Sequence, residues 1–100
     1  MKPAGAFTIP ADHPALPGHF PGRPVVPGVV LLDHVVDAVL ATAPGRRAAG
    51  LPLVKFTHPV RPGERVEVAC ATPDHGPVAF ACRVGDTEVA RGTVLIDRGP

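Results

Sequence analysis

A segment dense in proline and glycine is followed directly by an apolar stretch. This contrast predicts a long irregular loop and then one helix. Residues 12–27 contain five prolines, a density that no regular element accommodates, because proline lacks the backbone N–H donor. Residues 29–43 then have the length of a helix, which Pro44 and Gly45 end. Long loops in compact domains are usually functional, so the segment before the helix is a candidate site.

Apolar residues occur on nearly every side of the predicted helix, which favours a helix enclosed by the rest of the domain. Asp33 and Asp37 share one of its faces, since they are four positions apart. A carboxylate is costly to bury unless it is paired or neutralised. Asp33 is therefore a candidate functional residue, with a hydrogen-bonded structural aspartate as the alternative.

The rest of the chain alternates apolar and polar residues, as half-buried strands do. Strands are predicted over residues 6–9, 51–57, 65–72, 78–84 and 87–96. A bend is expected at residues 59–64, and hairpin turns at 73–76 and at 85–86. One antiparallel sheet around one long helix is an α+β arrangement, and 100 residues form a single domain, residues 1–100.

Charge and composition exclude several classes of protein. The formal net charge of +1 gives no electrostatic basis for binding nucleic acid or a membrane surface. No apolar run is long enough to cross a bilayer, and the first residues lack the apolar core of a signal peptide, so we expect a cytoplasmic protein. Cys70 and Cys82 lie in alternating apolar runs without CxxC spacing, which predicts buried thiols. The histidines outside the helix show no ligand spacing, so no metal site is expected.

Three features around the start of the helix fit acid–base chemistry beside a carbonyl group. His19 lies in the loop, and Asp33 lies in the helix. Gly28, just after Pro27, places a free backbone N–H at the helix N-terminus, where the helix dipole favours developing negative charge. A base, an acid and a donor for an oxyanion are the groups that such chemistry needs.

The stretch GHFPGRPVVPGVVLLD, residues 18–33, closely resembles the signature of the 3-hydroxyacyl-[acyl-carrier-protein] dehydratases, the FabA/FabZ-like hot-dog family. The matching positions are His19-Phe20-Pro21, Pro24-Val25, Pro27-Gly28 and Asp33. A second stretch, KFTHPVRPGERVEV at residues 55–68, resembles the strand and PVxPGD corner of that family. The chain looks most similar to the short dehydratases of aryl-polyene and polyketide-type pathways. It departs from the family at Asp37, where glutamine is usual, and in having no tyrosine or tryptophan.

The resemblance implies a hot-dog fold, with an antiparallel sheet wrapped around a central helix, and a homodimer with active sites shared between its subunits. It implies that His19 and Asp33 are catalytic and that the Gly28 N–H holds the thioester carbonyl. It also implies that the backbone carbonyl of Val25 orients the histidine ring. We predict that Asp37 is a second carboxylate supporting the site.

The implied activity is the dehydration of a (3R)-hydroxyacyl thioester on acyl carrier protein to the trans-2-enoyl thioester, in fatty-acid, aryl-polyene or polyketide biosynthesis. The phosphopantetheine arm of the carrier protein holds the substrate, and no cofactor is expected. Apolar neighbours are expected to shield the Asp33 carboxyl from water, which favours its protonated form. Basic residues that are candidates for contact with the acidic carrier protein are Arg23, Arg46, Arg47, Lys55 and Arg61.

Two other functions stay open. One is a hot-dog acyl thioesterase acting on the same arm, although the loop pattern resembles dehydratases more closely. The other is a non-catalytic hot-dog subunit of a heterodimer, although His19 and Asp33 are both present.

Overall fold

The computed structural model describes residues 1–13, 25–73 and 76–98. Its elements in chain order are β1 (Lys2–Thr8), α1 (Gly28–Ala41), β2 (Arg46–Phe56), β3 (Arg65–Cys70), β4 (Gly76–Val84) and β5 (Thr87–Arg98). The strands form one antiparallel sheet in the order β1-β3-β4-β5-β2. The predicted α+β architecture, with one helix packed on one antiparallel sheet, is confirmed.

The core lies between α1 and one face of the sheet. Strand alternation places every second side chain on that face. The buried residues of α1, β3 and β4 are Val30, Leu31, Val35, Val39, Val66, Val68, Cys70, Val78, Phe80 and Cys82. Both cysteines are free thiols in this core, as their apolar surroundings predicted.

The prediction that α1 is enclosed is wrong for the single chain. The sheet covers one side of the helix and leaves the opposite side open, because a single sheet has only one helix-facing surface. Val29 on that open side is 67% exposed, and Asp33 and Asp37 are also exposed. The expected burial of the Asp33 carboxyl is therefore not provided by its own chain. With 14 residues, α1 is also too short to cross a membrane, and no other helix among the described residues is long and apolar enough.

The two strands at the sheet edges are longer than their sequences predicted. β1 extends back to Lys2 despite Pro3, and β2 begins at Arg46 and continues through Pro52. Proline is tolerated at the edge of a sheet, where one side of the strand has no partner to receive an N–H. The pairing of both strands is shifted near these residues, between Pro3 and Gly5 in β1 and between Gly50 and Leu53 in β2.

Candidate functional site

A cavity of about 520 Å³ lies at the N-terminus of α1. Its walls come from the segment before the helix, the first turn of the helix, the end of β2 and the residues that follow β2. The lining residues are Val25, Val26, Pro27, Gly28, Leu31, Phe56, Thr57, His58, Pro59 and Val60. The cavity is therefore largely apolar, and such a lining suits an acyl chain.

A backbone hydrogen bond joins the two segments that form the walls of the cavity. The N–H of Val26 donates to the carbonyl oxygen of Val60 at 2.8 Å, and both side chains are buried. The two stretches that resemble the dehydratase signature, residues 18–33 and 55–68, are thus adjacent in space where the structure describes them. The sequence motifs meet at the cavity although some thirty residues separate Val26 from Val60.

The corner after β2 is held by its own hydrogen bonds. The N–H of Arg61 donates to the Glu64 carboxylate at 2.7 Å, and the N–H of Glu64 donates to the Arg61 carbonyl at 3.2 Å. Gly63 has a φ of 88°, which favours glycine, and its N–H donates to the Ile9 carbonyl at 2.8 Å. These bonds confirm the predicted bend at residues 59–64 and anchor it at the end of β1.

The first turn of α1 brings backbone donors to the cavity. Gly28 is the first helical residue, so its N–H has no partner in a preceding helical turn. Among the residues that the structure describes, no side chain caps this end of the helix at Pro27. An N–H at a helix N-terminus carries partial positive charge, and an apolar lining strengthens its attraction for an oxygen bearing negative charge. Gly28 and Val25, two of the predicted site residues, therefore lie together in the cavity.

Two polar side chains in the lining were not among the predicted site residues. The Thr57 hydroxyl donates to the Glu88 carbonyl at 2.9 Å, which fixes the end of β2 to β5. The Nδ1 atom of the exposed His58 lies 2.8 Å from the Pro59 carbonyl oxygen. The PVxPGD-like corner was the sequence signal that could have placed this segment at the site.

The structure does not bring Asp33 and Asp37 into the walls of the cavity. Both carboxylates lie on the open face of α1 with Val29. His34 lies on another side of the helix, where its ring stacks on Phe7 at a centroid distance of 4.6 Å. His19 lies outside the described residues, as do Phe20, Arg23 and His75.

The buried thiol of Cys82 is unsuited to act as a nucleophile. Burial, together with a smaller effect of the nearby Glu88 carboxylate, raises its pKa to about 12. Within the described ranges, no three His, Cys, Asp or Glu side chains come together as ligands for a metal ion.

Comparison with known proteins identifies the family to which these features point. The model of the ApeI-like family, described as ApeI dehydratase, matches residues 2–93. A 3-hydroxyacyl-[acyl-carrier-protein] dehydratase FabZ from Granulibacter bethesdensis is 30% identical over 93% of this chain and 56% of its own length. The FabZ of Rhizobium rhizogenes is 35% identical over 63% of this chain and 45% of its own length. The chain thus spans about half the length of these curated relatives.

Solved structures agree on the fold. The dehydratase heterocomplex ApeI:P from Xenorhabdus doucetiae superposes with a TM-score of 0.78 and 26% identity, covering 93% of this chain and 84% of the matched chain. The fluoroacetyl-CoA-specific thioesterase FlK superposes with a TM-score of 0.63 at 20% identity, which shows a shared fold alone. The helix and sheet described above are therefore a hot-dog fold.

Proposed function

Because the chain belongs to the ApeI-like family of hot-dog dehydratases, we propose that it dehydrates 3-hydroxyacyl thioesters carried on acyl carrier protein. The observation that carries the proposal is the apolar cavity at the N-terminus of α1, with Gly28, the first residue of the helix, in its wall. An acyl chain is an apolar ligand, and its thioester carbonyl is the acceptor that such an N–H binds.

In the proposed reaction, His19 removes the proton from C2 while the thioester oxygen gains negative charge. The Gly28 N–H stabilises that charge, and losing one such donor typically costs about 3 kcal/mol of barrier. The C2–C3 double bond then forms as the C3–O bond breaks, and the hydroxyl leaves as water with a proton from the Asp33 carboxyl. The Val25 carbonyl is assigned to orienting the histidine ring, and Asp37 to supporting Asp33 from the next helical turn.

We further propose that a second copy of the chain completes each site. A carboxyl that donates a proton needs shielding from water, and its own chain leaves Asp33 exposed. The open face of α1 also carries Val29, an apolar residue that is 67% exposed. In the proposed homodimer, His19 of one subunit faces Asp33 of the other. The second subunit would then cover both Asp33 and Val29.

A different hot-dog subunit is the second candidate for the partner. The similar structure from Xenorhabdus doucetiae is named a heterocomplex, so the same surfaces of this chain are suited to a related but distinct subunit. Light scattering on the purified chain separates the two: a dimer supports the homodimer, and a monomer without activity supports the heterocomplex.

The reaction is tested by incubating the protein with a 3-hydroxyacyl carrier protein and measuring the intact mass of the carrier. Dehydration removes one water and leaves the acyl group attached. Hydrolysis by a thioesterase instead removes the whole acyl group, so the same spectrum tests that alternative. A saturated acyl carrier protein without the hydroxyl group is the control, because a dehydratase leaves it unchanged.

A further inference from the structure

The Phe56 ring lies directly against the backbone of Gly28. A Cβ atom built on Gly28 would lie 2.6 Å from Cζ of Phe56 and 2.9 Å from its Cε2, so only glycine leaves room for the ring as it stands. Gly28 is helical without a positive φ, so its backbone conformation does not require glycine, and the space taken by the ring is the feature that favours it. The pair consists of the last residue of β2 and the first residue of α1.

The same ring is part of the cavity wall. Phe56 pairs with the buried Ala90, which places its side chain on the helix side of the sheet. It nevertheless remains 51% exposed, so burial in the core does not account for its position. A large planar side chain thus fills space beside Gly28, the residue whose N–H the proposed function assigns to the thioester carbonyl.

We infer that Phe56 determines substrate specificity by excluding acyl groups that carry a branch at C2. This inference rests on the proposed function. C2 is bonded directly to the carbonyl carbon, so a substituent on C2 lies next to the donor that holds the carbonyl oxygen. The tip of the Phe56 ring lies against the backbone of the residue that carries this donor, in space that a branch at C2 would need.

The inference is tested with two unreactive ligands, crotonyl-pantetheine amide and its C2-methyl analogue, measured by calorimetry. Wild-type protein is expected to bind the unbranched ligand more tightly by about tenfold, a usual effect of one misplaced methyl group in an apolar pocket. Phe56→Leu removes the tip of the ring and is expected to bring the two dissociation constants within about twofold of each other.

Leu53→Ala is the matched control. Leu53 lies on the same strand and is also 51% exposed, but it pairs with Thr93 on the sheet face away from the helix and does not line the cavity. Its ligand ratio is expected to equal that of wild type. Phe56→Met, made in parallel, carries the test if the leucine variant does not fold.

Equal ratios in wild type and Phe56→Leu overturn the inference, as does an equal change in Leu53→Ala. Failure of wild-type protein to bind either ligand overturns it as well. A wild type that binds with the expected preference yet dehydrates no 3-hydroxyacyl thioester refutes the proposed function and leaves the role of Phe56 standing.

Discussion

Asp33 is the residue whose substitution separates catalysis from stability. Asparagine has the shape of aspartate without its charge, so Asp33→Asn leaves no gap, and the free energy of unfolding is expected to stay within about 0.5 kcal/mol of wild type or to rise. Turnover is expected to fall on the order of 10²–10⁴-fold, because asparagine supplies no proton to the leaving hydroxyl. Both quantities are measured side by side, by chemical denaturation and by dehydration of a 3-hydroxyacyl thioester.

Asp86→Asn is the control for loss of an exposed carboxylate. Asp86 lies between β4 and β5 and is not part of the cavity lining, so its variant is expected to keep wild-type turnover. Near wild-type turnover in Asp33→Asn would make Asp33 a surface residue without a catalytic role.

Cys82 makes the stability of the folded state depend on pH in the alkaline range. Burial, with a smaller effect of the Glu88 carboxylate, raises the pKa of its thiol from 9.0 to about 12. Between these values the unfolded chain loses the proton while the folded chain keeps it, so the free energy of unfolding falls as pH rises. The full effect of one such group is about 1.4 kcal/mol per pH unit.

The contribution of Cys82 is isolated by measuring the free energy of unfolding of wild type and Cys82→Ala from about pH 8 to about pH 11. This range covers the titration of the thiol in the unfolded chain. Alanine has no proton to lose, so the variant is expected to show a shallower decline at the alkaline end, whatever its stability at neutral pH. Parallel curves would show that the Cys82 thiol titrates alike in both states.

At the scale of elements, β4 is the central strand of the sheet. Phe80 is 1% exposed and lies on a strand paired on both sides, with β3 and with β5. Phe80→Ala is expected to lower the free energy of unfolding by about 3–5 kcal/mol, through lost apolar burial and the cavity that remains. Leu53→Ala, on an edge strand, is expected to cost about 0.5 kcal/mol. Denaturant titrations measure the free energy of unfolding of both variants. Comparable losses of this free energy would contradict the expectation that the central strand contributes more to stability than the edge strand.

The inner strands were predictable from the sequence because their side chains alternate regularly. Val66, Val68 and Cys70 of β3 are all buried, as the alternation in the sequence indicated. The edge strands were not predictable in full, since Pro3 and Pro52 lie within them and proline usually indicates the end of a strand. A sheet edge tolerates proline, but which strands form the edges depends on the order of the whole sheet.

The cavity at the start of α1 was partly predictable. Gly28 and Val25 lie in its wall, where the dehydratase-like signature indicated a site. The contact of Phe56 with Gly28 was not predictable, because it depends on where β2 ends relative to the helix, and no local sequence pattern encodes that distance. The exposure of Asp33 was missed because its apolar neighbours suggested enclosure, whereas the sheet of one chain covers only half of the helix.

At the scale of the whole molecule, two surfaces of the described residues are candidates for contact with a second chain. One is the open face of α1, and the other is the outer edge of β2, the last strand in the sheet order, which is exposed over most of its length. An unpaired strand edge presents backbone donors and acceptors that a second chain can pair with. Both surfaces therefore favour the proposed dimer with shared sites.

The dimer with shared sites predicts that two inactive variants restore activity when their subunits exchange. His19→Ala and Asp33→Ala each remove one of the proposed catalytic groups from every site of a homodimer. Random exchange makes half of the dimers mixed, and in each mixed dimer one of two sites combines an intact His19 with an intact Asp33 from opposite subunits. The mixture is therefore expected to recover about one quarter of wild-type turnover. Exchange is verified by native mass spectrometry on subunits of different isotopic mass, and turnover is measured on the same samples. Absence of recovery in verified mixed dimers would place both groups of each site in one subunit, or remove one of them from catalysis.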